Sequence, residues 1–86
     1  MARYRVEIKK SAEKELKRLP SADQERVIEN IRGLSSDPRP PGSKKLSGEE
    51  KYRLRRGNYR ILYEIQDVIV TVVVVRIAHR KNAYLT

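Results

Sequence analysis

The segment Tyr52-Arg-Leu-Arg-Arg-Gly-Asn-Tyr-Arg-Ile-Leu-Tyr63 leaves little freedom in how it pairs. Gly57-Asn58 is a two-residue turn signal between alternating stretches, and a loop of that length fixes the register of a hairpin. The register sets Arg56 opposite Tyr59, Arg55 opposite Arg60, Leu54 opposite Ile61 and Arg53 opposite Leu62, and directly opposed residues share a face. Tyr52, Leu54, Ile61 and Tyr63 therefore form a core surface, while Arg53, Arg55 and Arg60 lie on the other face beside Leu62 and Glu64. Like charges opposite one another destabilise a sheet. An external anion is the natural compensation, and guanidinium groups match phosphate oxygens in planar, bidentate geometry.

The flanking sequence supplies the rest of one α+β domain spanning residues 1–86. Residues 3–8 alternate as a half-buried strand with Tyr4, Val6 and Ile8 inward. Ser11 is a candidate N-cap for an amphipathic helix over 12–19 carrying Ala12, Leu16 and Leu19, which Pro20 ends. Ser21 and Gln24 make a capping-box pattern for a second helix, with Val27, Ile28, Ile31 and Leu34 as its apolar stripe, ending near Ser36. Asp37-Pro-Arg-Pro-Pro-Gly42 cannot continue a helix. A hairpin at about 51–66 follows, then Val68–Val75, a β-branched run expected to be a central strand. The order β-α-α-β-β-β predicts a two-helix hairpin on one face of a mostly antiparallel four-stranded sheet. The arginine face is then the uncovered one.

Composition narrows the function classes. Twenty Lys+Arg against 11 Asp+Glu in 86 residues give a formal charge of +9, which favours nucleic acid, an acidic protein or an anionic surface as partner. The absence of cysteine excludes disulfides and thiolate chemistry, and a single histidine argues against a histidine-built metal site. No apolar run approaches the roughly 20 residues of a spanning helix, and the first residues are charged, unlike a signal peptide. The expectation is a cytoplasmic protein with no membrane association and no small-molecule cofactor.

Beyond the last strand, His79, Arg80, Lys81 and Tyr84 place an imidazole, further cations and a phenol near the strand end. RNA cleavage by its own 2′-OH needs a proton acceptor, a donor to the departing 5′-oxygen and cations for the dianionic phosphorane. It needs no metal. The carboxylates are scattered rather than clustered, which suits this route better than metal-assisted hydrolysis. Lys51 and Lys81 extend the cationic set available to RNA. Tyr52 and Tyr63 are turned into the core by the register rather than offered to bases. The cations at 14, 17, 18, 26 and 32 read as a solvated helical face, or as one an acidic partner could use.

The element order, the Lys45-Leu46-Ser47-Gly48 stretch, the Tyr52–Tyr63 hairpin and the terminal His79-Arg80-x-x-x-Tyr84 resemble the RelE branch of the RelE/ParE toxin superfamily over nearly the whole chain. The resemblance implies a ribosome-dependent, metal-independent mRNA endoribonuclease that cuts the A-site codon, contacts ribosomal RNA and is neutralised by a RelB-like antitoxin. By the same resemblance Arg53, Arg55 and Arg60 bind phosphate and stabilise transition-state charge, Tyr84 takes the 2′-OH proton, and Arg80 assists the leaving group or clamps the backbone. Some members have lysines where this chain has Arg53 and Arg55. Arginine cannot serve as a lysine-type base. His79 competes for either proton-transfer role. A ParE-like inhibitor of DNA gyrase and a non-enzymatic basic module that binds RNA or protein are the alternatives.

Overall fold

The computed structural model describes residues 3–46 and 50–79. The chain runs β1 (Arg5–Ile8), α1 (Lys10–Lys17), α2 (Ser21–Ser36), β2 (Ser43–Lys45), β3 (Lys51–Arg56), β4 (Tyr59–Gln66) and β5 (Thr71–His79). One sheet forms in the order β1-β5-β4-β3-β2, with β1 parallel to β5 and every other pair antiparallel. The α+β architecture is the expected one, but the sheet has five strands rather than four. The additional strand, Ser43-Lys-Lys45, pairs with Leu54, Arg53 and Tyr52 of β3. It has neither alternation nor β-branched residues. The open edge of β3 gives it a hydrogen-bonding template, and its lysines suit an exposed sheet edge.

The central hairpin has the register that its turn requires, from Arg56 opposite Tyr59 out to Lys51 opposite Glu64. Gly57 has φ 56 while Asn58 does not enter positive φ, the sign pattern of a type II′ turn with glycine first. Burial alternates strictly along β4: Tyr59, Ile61, Tyr63 and Ile65 are buried, while Arg60, Leu62 and Glu64 are only partly covered. Leu16 of α1 and Val27, Ile31 and Leu34 of α2 close the core over these residues and over Leu54, Val72, Val74 and Ile77.

Both helix starts differ from expectation. Helix α1 begins at Lys10, so Ser11 lies inside it, and the N-cap is Lys9 without a side-chain bond. Pro20 occupies the N-cap of α2, and its carbonyl accepts the amides of Asp23 and Gln24. Gln24 therefore closes no capping box. Its amide donates instead to the carbonyls of Leu19 at 2.7 Å and Lys17 at 3.2 Å, satisfying acceptors left over at the end of α1. Tyr4, just before β1, and Val6 within it pack against the core as predicted, but Ile8 at the strand's end is 36% exposed.

The β-branched run also divides differently. Val68 and Ile69, expected in a strand, are 97% and 62% exposed in the turn before β5. That turn is closed by the Val70 amide on the Asp67 carbonyl at 3.1 Å. A run of β-branched residues has no internal mark for where a turn ends, so Asp67 and the pairing of β4 decide it. Val70 has φ 49, a left-handed conformation that is costly for a β-branched side chain. Val70→Gly should raise stability by about 1 kcal/mol, read as a higher urea midpoint; a lower midpoint would show that the Val70 side chain outweighs the strain.

Further along, Leu62 pairs with Arg76 but Tyr63 pairs with Val74, which leaves Val75 as a bulge. The bulge changes the phase of β5, so that Ile77 instead of Arg76 reaches the core. Since β1 pairs only with Thr71 to Val74, the rest of β5 extends past it. Glu15 of α1 covers part of that edge: its Oε1 accepts the Ile77 amide at 2.9 Å, and its Oε2 meets Arg76 Nε at 3.3 Å.

Candidate nucleic-acid interface

Lys51, Arg53 and Arg55 alternate along β3, with Arg60 facing Arg55 across β4. Opposed side chains in such a pair start about 4.5–5.5 Å apart at Cβ. Arg55 is exposed, and Arg53 and Arg60 are partly covered. Within the described residues, Arg53, Arg55 and Arg60 form no ion pair. Leu62, opposite Arg53, gives the cluster an apolar floor. Three guanidinium groups gathered on a face that no described helix covers, where Glu64 opposite Lys51 is the carboxylate at the far end of the hairpin, can bind an anion with several donors at once.

The structure adds two cations to this face that the sequence did not indicate. Lys44 of β2 lies opposite Arg53, so the positive row continues to a third strand. Arg76 lies opposite Leu62. Lys44 was hidden because Ser43-Lys-Lys45 carries no strand pattern. Arg76 was hidden because the bulge at Val75 decides its side of the sheet.

His79 is placed otherwise than expected. It opposes Tyr59, a core-facing residue, and the two rings meet edge-on with centroids 5.4 Å apart. Its imidazole is thus on the helix side of the sheet, away from the Arg55/Arg60 pair. Arg56 shares that side and serves the scaffold: its Nη2 donates to the Pro41 carbonyl at 2.8 Å. Gly42 follows with φ 93, a conformation that favours glycine, and a Cβ there would also displace the end of the Arg56 side chain, 2.5 Å away at Nη1. Arg80, Lys81 and Tyr84, the remaining predicted site residues, lie outside the described residues.

A polar latch holds the proline-rich connection that delivers β2. Arg39 Nη2 pairs with Asp67 Oδ2 at 2.9 Å, Arg39 Nε donates to the Tyr52 hydroxyl at 3.0 Å, and its guanidinium carbon lies 5.2 Å from the Tyr52 ring centroid. Tyr4 donates to Asp67 Oδ1 at 2.6 Å, and the buried Tyr63 hydroxyl donates to the Pro38 carbonyl at 2.7 Å. Hydrogen bonds from Arg39 and then Tyr4 hold the Asp67 carboxyl below its ordinary pKa. A depressed folded-state value contributes stability above the unfolded value of about 3.9, and that contribution is lost as pH falls through the folded value. Thermal unfolding of wild type and Asp67→Asn should differ by a constant amount from neutral pH to about pH 5 and converge below about pH 4. A wild-type advantage that grew on acidification would remove the latch from this account.

Comparison with known proteins places the chain in a family. Residues 6–84 match the model of the ParE toxin of the parDE type II toxin-antitoxin system. Toxin RelG of Mycobacterium tuberculosis is 36% identical over 85 residues, which cover 94% of this chain and 95% of the relative. The chain is a RelE-type toxin of the RelE/ParE superfamily. Among solved structures, the M. tuberculosis toxin-antitoxin complex RelBE2 superposes with a TM-score of 0.84 at 37% identity, covering 93% of this chain and 94% of that one. The RelE-RelB complex of Pyrococcus horikoshii gives 0.82 at 31% identity, covering 93% and 98%. As a RelE-family member, this protein is the toxin component of a type II toxin-antitoxin system. None of its described helices is long and apolar enough to cross a membrane.

Proposed function

We propose that this RelE-type toxin is a ribosome-dependent endoribonuclease that cuts mRNA in the A site and so stops translation. The observation that carries the reading is the Arg53/Arg55/Arg60 cluster, without ion pairs among the described residues and on the uncovered face of the sheet. In the reaction, the 2′-oxygen bonds to the adjacent phosphorus and the bond from phosphorus to the 5′-oxygen breaks, leaving a 2′,3′-cyclic phosphate and a free 5′-hydroxyl. The arginines bind the non-bridging oxygens and stabilise the added charge of the phosphorane. They cannot accept the 2′-OH proton. Tyr84 takes that role, and Arg80 assists the departing oxygen. His79 is the weaker candidate for either transfer, since its ring packs on Tyr59 on the other side of the sheet.

With few proton-transfer groups of its own, the toxin relies on the ribosome to hold mRNA in the attacking geometry. Cytoplasmic location follows from that substrate. A cognate RelB-like antitoxin is the second partner, as the related solved structures are toxin-antitoxin complexes. An acidic segment that folds over the arginine face would neutralise both its charge and its access.

The test is cleavage of a defined mRNA by purified toxin, comparing free RNA with a programmed ribosome whose A site is empty, and wild type with Tyr84→Phe. Cuts that occur only in the A site and fall at least about 100-fold in the variant are expected. The match to a ParE toxin model favours one other reading, inhibition of DNA gyrase. Intact mRNA in every sample, together with loss of gyrase supercoiling, would establish it.

A further inference from the structure

A second cationic site lies one step from the arginine cluster, across the edge of the sheet. Ser11, Lys14, Glu15 and Arg18 of the α1 region and Arg76 of β5 line a groove of about 410 Å³. Lys14 and Arg18 are four residues apart and so share a helical face. Both are exposed, and neither forms an ion pair among the described residues, whereas neighbouring Lys17 is paired with Glu13 at 3.1 Å. Glu15 is the one carboxylate in the groove, and it is already engaged by the Ile77 amide and by Arg76 Nε. The groove therefore presents an excess of positive charge to solvent.

Arg76 joins this groove to the arginine face. Arg60 lies opposite Ala78 and Arg76 lies two residues back along β5, so the two arginines are diagonal neighbours, about 7–8 Å apart. With Nε held by Glu15, the Nη groups of Arg76 carry its remaining donors. Cations thus line a path from Arg55 and Arg60, past Arg76 and its partner Glu15, to Lys14 and Arg18.

We infer that the single-stranded RNA lying on the arginine cluster continues over the β5 edge, and that Lys14, Arg18 and Arg76 bind its flanking phosphates. The inference rests on the ribonuclease reading for the strand's position on the sheet. It assigns the groove to the same strand as the cluster, because Arg76 connects them. Phosphate contacts of this kind position a strand without reading its sequence.

Binding of the intact toxin to 2′-O-methyl RNA oligonucleotides, which cannot be cleaved, tests the path. A short oligonucleotide covers the arginine cluster alone and a longer one reaches the groove, both being titrated by fluorescence anisotropy over a range of potassium chloride concentrations. Lys14→Ala/Arg18→Ala should bind the short RNA like wild type and lose the gain that wild type shows on lengthening. For the longer RNA, its slope of log K against log salt should fall by about 1.4, the loss of two single-strand phosphate contacts. Arg26→Ala/Arg32→Ala, with the same net charge, should keep the gain. A double variant in the groove that keeps the full gain, or that weakens both lengths equally, would overturn the path. Failure of the underlying reading is separate and shows as an unchanged affinity of Arg60→Ala for the short RNA.

Discussion

Arg60→Ala should lower A-site cleavage by about 10²–10³ while leaving the fold at least as stable as before. The loss is that expected for removing one preorganised donor from a group that stabilises transition-state charge. The stability result follows from the register: Arg60 directly opposes Arg55, and the pair repels wherever no anion lies between them. Relief of that repulsion should contribute a few tenths of a kcal/mol. Two measurements are needed, single-turnover cleavage on programmed ribosomes and urea unfolding of the free toxin. A variant that lost activity because it unfolded would contradict the assignment, as would a stable variant that cut at the wild-type rate. The sign of the stability change matters because stability yielded to a charged site is a mark of function.

The hairpin was legible in the sequence because two independent signals agreed. Gly57-Asn58 fixed the loop length, and the alternation of Tyr52, Leu54, Ile61 and Tyr63 fixed the buried side, so the pairing of Arg55 with Arg60 followed by geometry. Where one signal stood alone, it misled. Ser11 and Ser21 looked like caps by residue type, yet backbone geometry put Lys9 and Pro20 there. From Val68 to Val75 only β propensity was available, and that property is shared by the turn residues Val68, Ile69 and Val70. Tertiary pairing chose the boundary. The same limit hid part of the site: Lys44 joins the basic face only through an edge strand templated by β3, and Arg76 through a bulge that lengthens one strand against the other. His79 reads as a site residue by proximity in sequence to Arg80, but a single step along a strand reverses the side on which a residue lies.

The opposite pole of this hairpin is Leu54, which lies between Arg53 and Arg55 in sequence and on the other side of the sheet in space. It is 1% exposed and packs in the core with Ile61 opposite. Leu54→Ala should cost about 2–5 kcal/mol, the transfer free energy of the lost side chain plus the cavity left in the core. For a small domain, whose total stability is on the order of 5–10 kcal/mol, that is a large share. Chemical unfolding should show a midpoint far below wild type with an unchanged slope. At a temperature where the variant stays folded, its RNA affinity should match wild type, because Arg53, Arg55 and Arg60 keep their register. Under the proposed function, Leu54→Ala and Arg60→Ala divide the hairpin in two, one face holding the domain together and the other binding RNA. Equal stability losses in the two variants would mean that the arginine face belongs to the scaffold, and the case for a phosphate site would lose its physical basis.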